Sequence, residues 1–403
     1  MVRATQPPDR ALISSSEAER FVKPIQSAAA LLALFVGHLV PAGVAAQSRR
    51  LVEDFRILPA ESDSLAFSAI ADIESGRGGR VYVLQPDLRV VQVFDSSGKR
   101  VRVIGRRGSG PGEFQFPLRL GLKQDSLWVW DPTSARISVF DEGGRLQRTI
   151  SLGTVGSARL LASGEVAIKR YDEDAVRDGG VARLRAPLLR YSAGGAIVDT
   201  LLHLDADSVG PLRIPVAAGM AQGQQPFTTT PLWAVSPSGT SLVLVERNLA
   251  SRPGDAIYRI RRVSTAGRVI FVREVKYTAR RLEDADLEAV VDAWVARLTS
   301  SERGRPSSGT VRRDQVRRAI YRPATLPPVG DILIGSDDSI WLRRVDSRSG
   351  NTASWIRFDA TGRSIGEVEA PVEAQLMRAS ATHVWAVVRD TDGVPAVVRY
   401  RVQ

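Results

Sequence analysis

The chain contains no cysteine and only three histidines among its 403 residues. The absence of cysteine excludes disulfide bonds, thiolate metal sites, nucleophilic thiols and a lipidated cysteine after a leader segment. His203 and His383, the two histidines beyond the N-terminal segment, lie in a predicted outer strand and a predicted short turn. We therefore predict no catalytic residue, no metal ligand and no cofactor, and leave open only calcium held by aspartates and backbone carbonyls.

Lysine is also scarce. Only five of the 55 basic residues are lysines, and the formal net charge is +11. A basic surface can attract nucleic acid, anionic lipid or an acidic ligand. Because the arginines are scattered through predicted strands and turns without a dense run, we predict no nucleic-acid partner, and a solvated arginine-rich surface is the simplest interpretation.

Long hydrophobic runs are missing except for one, Ala28–Val40, which follows basic residues and precedes small ones. This pattern is typical of a secretory signal peptide, and the run is shorter than the roughly 20 residues that span a bilayer. We predict cleavage between Ala46 and Gln47, an N-terminal extension and signal peptide over 1–46, and an exported periplasmic or extracellular protein over 47–403. No stable membrane span is expected after cleavage; a retained anchor is the alternative.

Short β-type segments separated by Gly and Asp turns repeat along the chain. Residues Arg80–Ile104 give three strands and two turns, and Ser126–Ile150 repeats the same pattern 46 residues later. Repeats of 40 to 50 residues with this content are typical of propeller blades. Weaker copies have second strands that begin near Val166, Leu242, Ile340 and Val384. The sequence therefore predicts an all-β, six-bladed β-propeller.

The two ends of the repeat region complement each other. The C-terminus supplies only three strands for the last blade, whereas Leu51–Ile57 is an extended segment with no partner of its own. Pairing them would close the ring and remove an exposed sheet edge. We therefore predict Leu51–Ile57 as the outer strand of blade 6.

Three third strands end in Phe-Asp and lead into a glycine turn. The dipeptides are Phe94-Asp95, Phe140-Asp141 and Phe358-Asp359, and the turn glycines are Gly98, Gly143 and Gly362. An aromatic ring can pack between blades while Asp and Gly reverse the chain. A structural role is predicted for all of them.

The segment Gly105–Pro117, GRRGSGPGEFQFP, resembles the signature loop of NHL repeats, and Leu127–Asp131 and Arg136–Asp141 continue the resemblance. The resemblance implies an NHL-repeat-like six-bladed propeller of the bacterial exported type, and it says little about function. The glycines of this loop are not predicted to bind phosphate, because a strand and not a helix follows them.

An amphipathic helix is predicted over Leu282–Leu298 and a second over Val311–Tyr321, so a helical insert of about 279–323 separates blades 4 and 5. The inward apolar positions of the first helix are Leu287, Val291, Trp294 and Leu298. We expect a cap over the rim with Trp294 packed on the propeller; a mobile lid or a partner-binding element is the alternative.

Every long predicted connection falls on one face of the disc. These connections are Gly105–Pro117, Lys169–Ala186, Asp205–Phe227, Arg247–Ala256, the helical insert and Val345–Ser354. Long loops on a rigid scaffold tend to carry function, so this face is the predicted binding surface. Its predicted ligand-binding residues are Arg106, Arg107, Lys169, Arg170, Arg343 and Arg344.

Two classes of function remain open. The first is a binding scaffold, expected to be a monomer, for an unknown small molecule or protein of anionic character. The second is a metal-assisted hydrolase or lyase of the lactonase-like type. Three or more carboxylates or histidines at the channel mouth would favour the second, and an arginine-lined channel would favour the first.

Overall fold

Strands dominate the computed structural model, which describes residues 49–58, 63–123, 125–153, 156–170, 185–205, 209–216, 219–248, 250–299, 311–349 and 351–403. The predicted signal peptide and its cleavage site lie outside these residues, so both remain predictions. Among the described residues, no helix is long and apolar enough to cross a bilayer.

The first three blades are antiparallel four-stranded sheets in chain order. Blade 1 follows β1 (Arg49–Ile57) and contains β2 (Asp72–Ser75), β3 (Val81–Gln85), β4 (Val90–Phe94) and β5 (Arg100–Ile104). Blade 2 contains β6 (Arg119–Lys123), β7 (Ser126–Asp131), β8 (Arg136–Phe140) and β9 (Leu146–Ser151). Blade 3 contains β10 (Gly156–Leu160), β11 (Val166–Arg170), β12 (Arg185–Tyr191) and β13 (Ile197–Asp205).

A two-stranded hairpin, β14 (Leu212–Val216) and β15 (Gly219–Gly223), precedes the last three blades. Blade 4 contains β16 (Leu232–Val235), β17 (Ser241–Glu246), β18 (Gly254–Ser264) and β19 (Val269–Ala279). Helices α1 (Asp284–Thr299) and α2 (Arg313–Ala319) follow, as predicted. Blade 5 contains β20 (Val329–Ile334), β21 (Ile340–Ser349), β22 (Thr352–Phe358) and β23 (Ser364–Pro371), and blade 6 contains β24 (Gln375–Ala379), β25 (His383–Arg389) and β26 (Pro395–Val402).

Strand β1 closes the ring. It pairs antiparallel with β26 from Leu51↔Val402 to Ile57↔Val397, which confirms the predicted outer strand of blade 6. Its first two residues also pair in parallel with β23 of blade 5. The predicted six-bladed β-propeller is confirmed, with its first and last segments joined in one sheet.

Each of the six interfaces between neighbouring blades has its own apolar cluster. Phe94, Phe140 and Phe358 are buried in three of these clusters, which confirms their structural role. The predicted turn glycine of blade 2 is one residue off: Gly144, with φ +78°, occupies the left-handed position, because it follows Asp141 by three residues as Gly98 follows Asp95.

Part of the arginine excess has a structural use. Arg190 and Arg262 occupy equivalent positions in the third strands of blades 3 and 4. Each donates a hydrogen bond to a carbonyl in the outer turn of the next blade, at Thr265 (3.5 Å) and Ala360 (3.1 Å). An arginine side chain is long and has several N–H donors, so it can make this hydrogen bond and pair with a carboxylate at the same time. Arg262 does so, because it also pairs with Asp338 at 3.1 Å.

The helical insert shares a core with the β14–β15 hairpin, a segment that the sequence predicts only as part of a connector. Leu287, Val291 and Leu298 of α1 are buried against Leu212 and Ile214 of β14. We expected Trp294 to pack on the propeller, and this expectation is wrong. The half-buried indole of Trp294 instead lies over Gly223 of β15, so closely that a Cβ on Gly223 would be 2.3 Å from the ring. The two helices are joined by ion pairs such as Arg317–Glu288 at 2.5 Å.

The predicted loop Val345–Ser354 is also corrected. Strands β21 and β22 continue through most of it and pair again at Arg348↔Ala353 and Ser349↔Thr352, so the segment is an extended hairpin. The residues of this segment are nearly all polar, so the sequence shows no alternation of apolar and polar residues that would predict a strand.

A pair of equivalent glycines gives a first prediction. Gly195 and Gly267 occupy the left-handed position of the turns between the third and fourth strands of blades 3 and 4, with φ of +91° and +82°. A Cβ on Gly195 would lie 2.0 Å from the carbonyl oxygen of Ser151 in blade 2, whereas a Cβ on Gly267 meets nothing within 4 Å. Gly267→Ala should cost about 1 kcal/mol of unfolding free energy from backbone strain alone. Gly195→Ala should cost at least about 2 kcal/mol more, because overpacking against backbone is added. Urea unfolding of both variants measures the difference, and equal costs would contradict the close approach of Ser151 to Gly195.

Candidate functional site

The connections between second and third strands share a face with the connections between blades. Arg89, between β3 and β4, donates to the carbonyl of Gln115 between blades 1 and 2 at 2.9 Å. Arg247, after β17, donates to the carbonyl of Thr230, which precedes blade 4, at 3.1 Å and to that of Val329, the first residue of blade 5, at 2.8 Å. We call this side the long-loop face, and the opposite side, formed by the tight turns, the short-turn face.

The glycine loop between blades 1 and 2 is a structural connector. The carboxylate of Glu113 accepts the amide of Gly110 at 2.8 Å, the position that an anion would need. Arg136 donates to the carbonyls of Gly110 and Glu113. The buried carboxylate of Asp131 accepts the amides of Gln115 and Phe116. Because the loop's own side chains satisfy these groups, it does not offer a phosphate cradle.

The six predicted ligand-binding residues come from three regions of the long-loop face. Arg106 and Arg107 lie in the connector between blades 1 and 2, where Arg106 is exposed and paired with Glu113 at 2.8 Å. Lys169 and Arg170 end β11 of blade 3, and Lys169 is half-buried. Their assignment as ligand contacts remains a prediction.

Arg343 and Arg344 lie on β21 of blade 5. Consecutive residues of a strand point to opposite sides of the sheet, and these two do so. Arg344 pairs with Glu367 on β23 at 3.2 Å. Arg343 instead lies opposite Asp331 of the inner strand β20, and its Nη2 would be 3.0 Å from a Cβ on Gly330. Arg343 is therefore the member of the predicted set that reaches the inner strands.

The inner strands surround the centre of the ring, where β2 contacts β6 and β24, and β20 contacts β16 and β24. Arg378 of β24 pairs with Asp72 at 3.0 Å and with Glu74 at 2.8 Å, so blades 6 and 1 are joined by one guanidinium. Asp72 also accepts the amide of Leu120 from blade 2 at 3.0 Å. Burial disfavours the charged form, but the charges of Asp72 and Glu74 raise the pKa of Arg378 above its usual range; burial raises the pKa of Glu74 despite the opposing Arg378.

A second charged group consists of Arg119 on the inner strand β6 of blade 2, Asp331 on the inner strand β20 of blade 5, and Arg343 on β21 of blade 5. Blades 2 and 5 are opposite each other in a ring of six. The side chain of Asp331 is exposed, and Arg119 at the start of β6 is half-buried. Although this side chain is open to solvent, protein atoms around it partly desolvate the carboxylate and raise the pKa of Asp331; the positive charge of Arg343, the amide of Ile332 and the positive charges of Arg119 and Arg247 oppose that rise. The guanidinium groups of Arg119 on β6 and Arg343 on β21 therefore both interact electrostatically with the carboxylate of Asp331. We call Arg119, Asp331 and Arg343 the mouth triad.

Backbone irregularities accompany these charges. The pairing of β20 with β21 slips between Val329 and Asp331, and the pairing of β24 with β25 slips between Leu376 and Arg378. The inner strands of blades 1 to 4 pair with their neighbours without such a slip. A β-bulge re-aims the side chain beside it and is frequent next to functional sites. Both bulges directly precede a charged residue of the channel.

Within the described residues, no three His, Asp or Glu side chains converge as a metal-binding group. His203 lies on the outer strand β13. His383 was expected in a turn but begins β25, where its Nε2 is 3.4 Å from Asp54.

Two surface cavities lie away from the channel. One, of about 310 Å³ on the short-turn face, contains Arg77 and Arg80, which are paired with Asp125 and Glu142. The other, of about 600 Å³, is formed by the loop around Arg252 in blade 4. The lining of each cavity has equal numbers of acidic and basic side chains, so the mouth triad, with two arginines and one carboxylate, is the better candidate site for an anion.

The residues that sequence reasoning missed are Arg119, Asp331 and the trio Asp72, Glu74 and Arg378. Each lies on a first strand, and first strands are the weakest part of the repeat pattern. The available signal was a charged residue within the first strand of a blade, the strand that surrounds the channel.

A family model described as a 6-bladed beta-propeller matches residues 47–160, a range that includes β1, blades 1 and 2 and β10. The chain shares this fold. A solved structure of a member of the DUF4221 family from Bacteroides vulgatus is 9% identical, with 88% of this chain and 99% of that chain covered at a TM-score of 0.50. Curated protein sequences give no match.

Two further solved structures are similar at lower scores. A protein from Bacteroides fragilis is 11% identical over 90% of this chain and 97% of its own, with a TM-score of 0.46. Virginiamycin B lyase from Staphylococcus aureus is 11% identical over 88% of this chain and 100% of its own, with a TM-score of 0.43. At these identities the likeness concerns the fold alone.

Proposed function

We propose that the protein is an exported binding propeller that takes a small molecule or protein segment of anionic character on its long-loop face. The observation that carries the proposal is the mouth triad, in which Arg343 lies opposite Asp331 on the neighbouring strand and Arg119 begins the inner strand of blade 2. A local excess of guanidinium attracts anions and orients carboxylate or phosphate groups.

The rest of the long-loop face supports the same proposal. The insert formed by α1, α2 and the β14–β15 hairpin has its own apolar core and rises from the connections before blades 4 and 5. A rigid scaffold with large insertions on one face is a common arrangement for recognition. Export rests on the predicted signal peptide and is tested by sequencing the N-terminus of secreted material.

The test compares charge reversal on the two faces. Purified mature protein is screened for thermal stabilisation by organic acids and phosphate esters, since a ligand of the native state raises its melting temperature. Arg343→Glu on the long-loop face should abolish stabilisation by any hit, whereas Arg77→Glu, an exposed arginine of the short-turn face, should not. The reverse pattern would refute the assignment of the face.

The metal-assisted hydrolase or lyase is tested in the same screen. Calcium, magnesium, manganese and zinc salts are included as separate arms. Stabilisation by one of them at micromolar concentration, together with turnover of a lactone, would replace the binding proposal with the catalytic one.

A further inference from the structure

In the described chain, the two charged groups at the inner strands differ in their ratio of acidic to basic side chains. Arg378 is shared by Asp72 and Glu74, and both carboxylates accept from it within 3.0 Å. Around Asp331, by contrast, the guanidiniums of Arg119 and Arg343 oppose a single carboxylate. The mouth triad therefore keeps one excess positive charge.

The two arginines of the triad are weakly engaged by their own chain. Within the described residues, Arg119 makes one side-chain hydrogen bond, a long one of 3.4 Å to the carbonyl of Ala71. Arg343 makes no side-chain hydrogen bond or ion pair with the described residues. Arg247, in comparison, is buried, and its Nε, Nη1 and Nη2 all donate to the carbonyls of Thr230 and Val329. Donor groups of Arg119 and Arg343 are thus available to a ligand.

Two features place these groups for binding. The bulge at Gly330 directly precedes Asp331, and the missing side chain of Gly330 lets the guanidinium of Arg343 lie over the backbone of β20. An alanine there would put its Cβ 3.0 Å from Nη2 of Arg343. Arg119 begins the inner strand β6 and Asp331 lies near the start of the inner strand β20, so both lie at the long-loop end of the channel, where a small molecule would meet guanidinium donors and the acceptor Asp331.

We infer that the mouth triad binds a small hydroxylated carboxylic acid, whose carboxylate is held by Arg119 and Arg343 and whose neighbouring hydroxyl donates to Asp331. This inference rests on the proposed function and names its ligand class. Guanidinium groups match a carboxylate in geometry and charge. A lone carboxylate repels a simple anion but accepts a hydrogen bond from a hydroxyl, so Asp331 should select for the hydroxylated acid.

The experiment uses isothermal titration calorimetry on the mature full chain with three probes: gluconate, hexanoate and glucose. Gluconate carries both groups, hexanoate only the charge and glucose only the hydroxyls. Gluconate should bind at least tenfold more tightly than either of the others. Arg119→Met and Arg343→Met should each weaken gluconate binding at least tenfold, while Arg77→Met, at an exposed arginine of the short-turn face paired with Asp125, should leave it within twofold.

Asp331→Asn separates selectivity from folding. It removes a negative charge, so hexanoate should bind more tightly and the preference for gluconate should fall to less than threefold. Melting temperatures of all variants confirm that the native fold persists. The inference is overturned if none of the probes binds, if Arg119→Met and Arg343→Met leave binding unchanged, or if Asp331→Asn keeps the full preference. The proposed function fails separately if screening hits respond to Arg77→Glu and not to Arg343→Glu.

Discussion

Deletion of β1, residues Arg49–Ile57, should lower the stability of the whole propeller. The strand buries Leu51 between blades 5 and 6 and Ile57 between blades 6 and 1. Burial of two such side chains contributes about 3 to 6 kcal/mol. The antiparallel ladder with β26 adds further backbone hydrogen bonds, each worth about 1 kcal/mol net. The sum is comparable to the total stability of about 5 to 15 kcal/mol of a typical domain.

The expected result is a fall in melting temperature of at least about 10 °C, or loss of a cooperative transition, in a circular dichroism melt. The deletion also exposes the edge of β26, so the variant should aggregate at concentrations where the parent does not. Ile57→Asp tests the same closure without shortening the chain, and Val52→Asp, at a position 40% exposed on the same strand, is its control. Unchanged melting after deletion would show that the ring does not depend on β1.

The closure could be predicted because it follows from counting strands. Blade 6 lacked a fourth strand and Leu51–Ile57 lacked a partner, so the pairing required no knowledge of side-chain contacts. The strong second and third strands could be predicted because fully buried runs such as Val81–Gln85 and Val90–Phe94 are rich in valine and are bounded by turns with Gly, Pro or Asp.

The parts that could not be predicted depend on contacts between distant segments. The β14–β15 hairpin contains Pro215 and two glycines and has no partner within the repeat, so its sequence resembles a loop. The helical spacing of Trp294 predicts that it points inward. Its partner Gly223 has no side chain, so no apolar residue in the sequence indicates where the indole packs. Alternation along a strand also separates Arg343 from Arg344, although the two are adjacent in sequence.

The mouth triad was missed for a physical reason as well. Arg119 and Asp331 are 212 positions apart, and both lie at the long-loop end of the inner strands only because the six blades close into a ring. The short inner strands carry few apolar residues to establish their register. A bulge such as the one at Gly330 then changes which side chain faces the centre, and bulges have no reliable sequence signal.

Removal of the Arg378 guanidinium should be the most damaging point substitution in the channel. Arg378→Met would leave Asp72, which is 2% exposed, and Glu74 as neighbouring carboxylates without their shared cation. Breaking a buried ion pair on one side costs about 3 to 5 kcal/mol. Arg389→Met, which removes an exposed arginine from the adjacent strand β25, should stay within about 0.5 kcal/mol of the parent. Urea unfolding at pH 7.5 measures both.

The loss in Arg378→Met should depend on pH in one direction. Burial already raises the pKa of Glu74, and without Arg378 only the amide of Ser75, which donates to the Glu74 carboxylate, opposes that rise. A carboxyl whose folded pKa lies above its unfolded value destabilises the fold at high pH, and that penalty is relieved as pH falls through the folded pKa. The gap between variant and parent should therefore narrow from pH 7.5 to pH 5. Asp72→Asn in the Arg378→Met background removes one of the two unpaired charges and should recover part of the loss at pH 7.5. A loss below about 1 kcal/mol, or one that is the same at both pH values, would show that Arg378 acts by packing and not by neutralising these carboxylates.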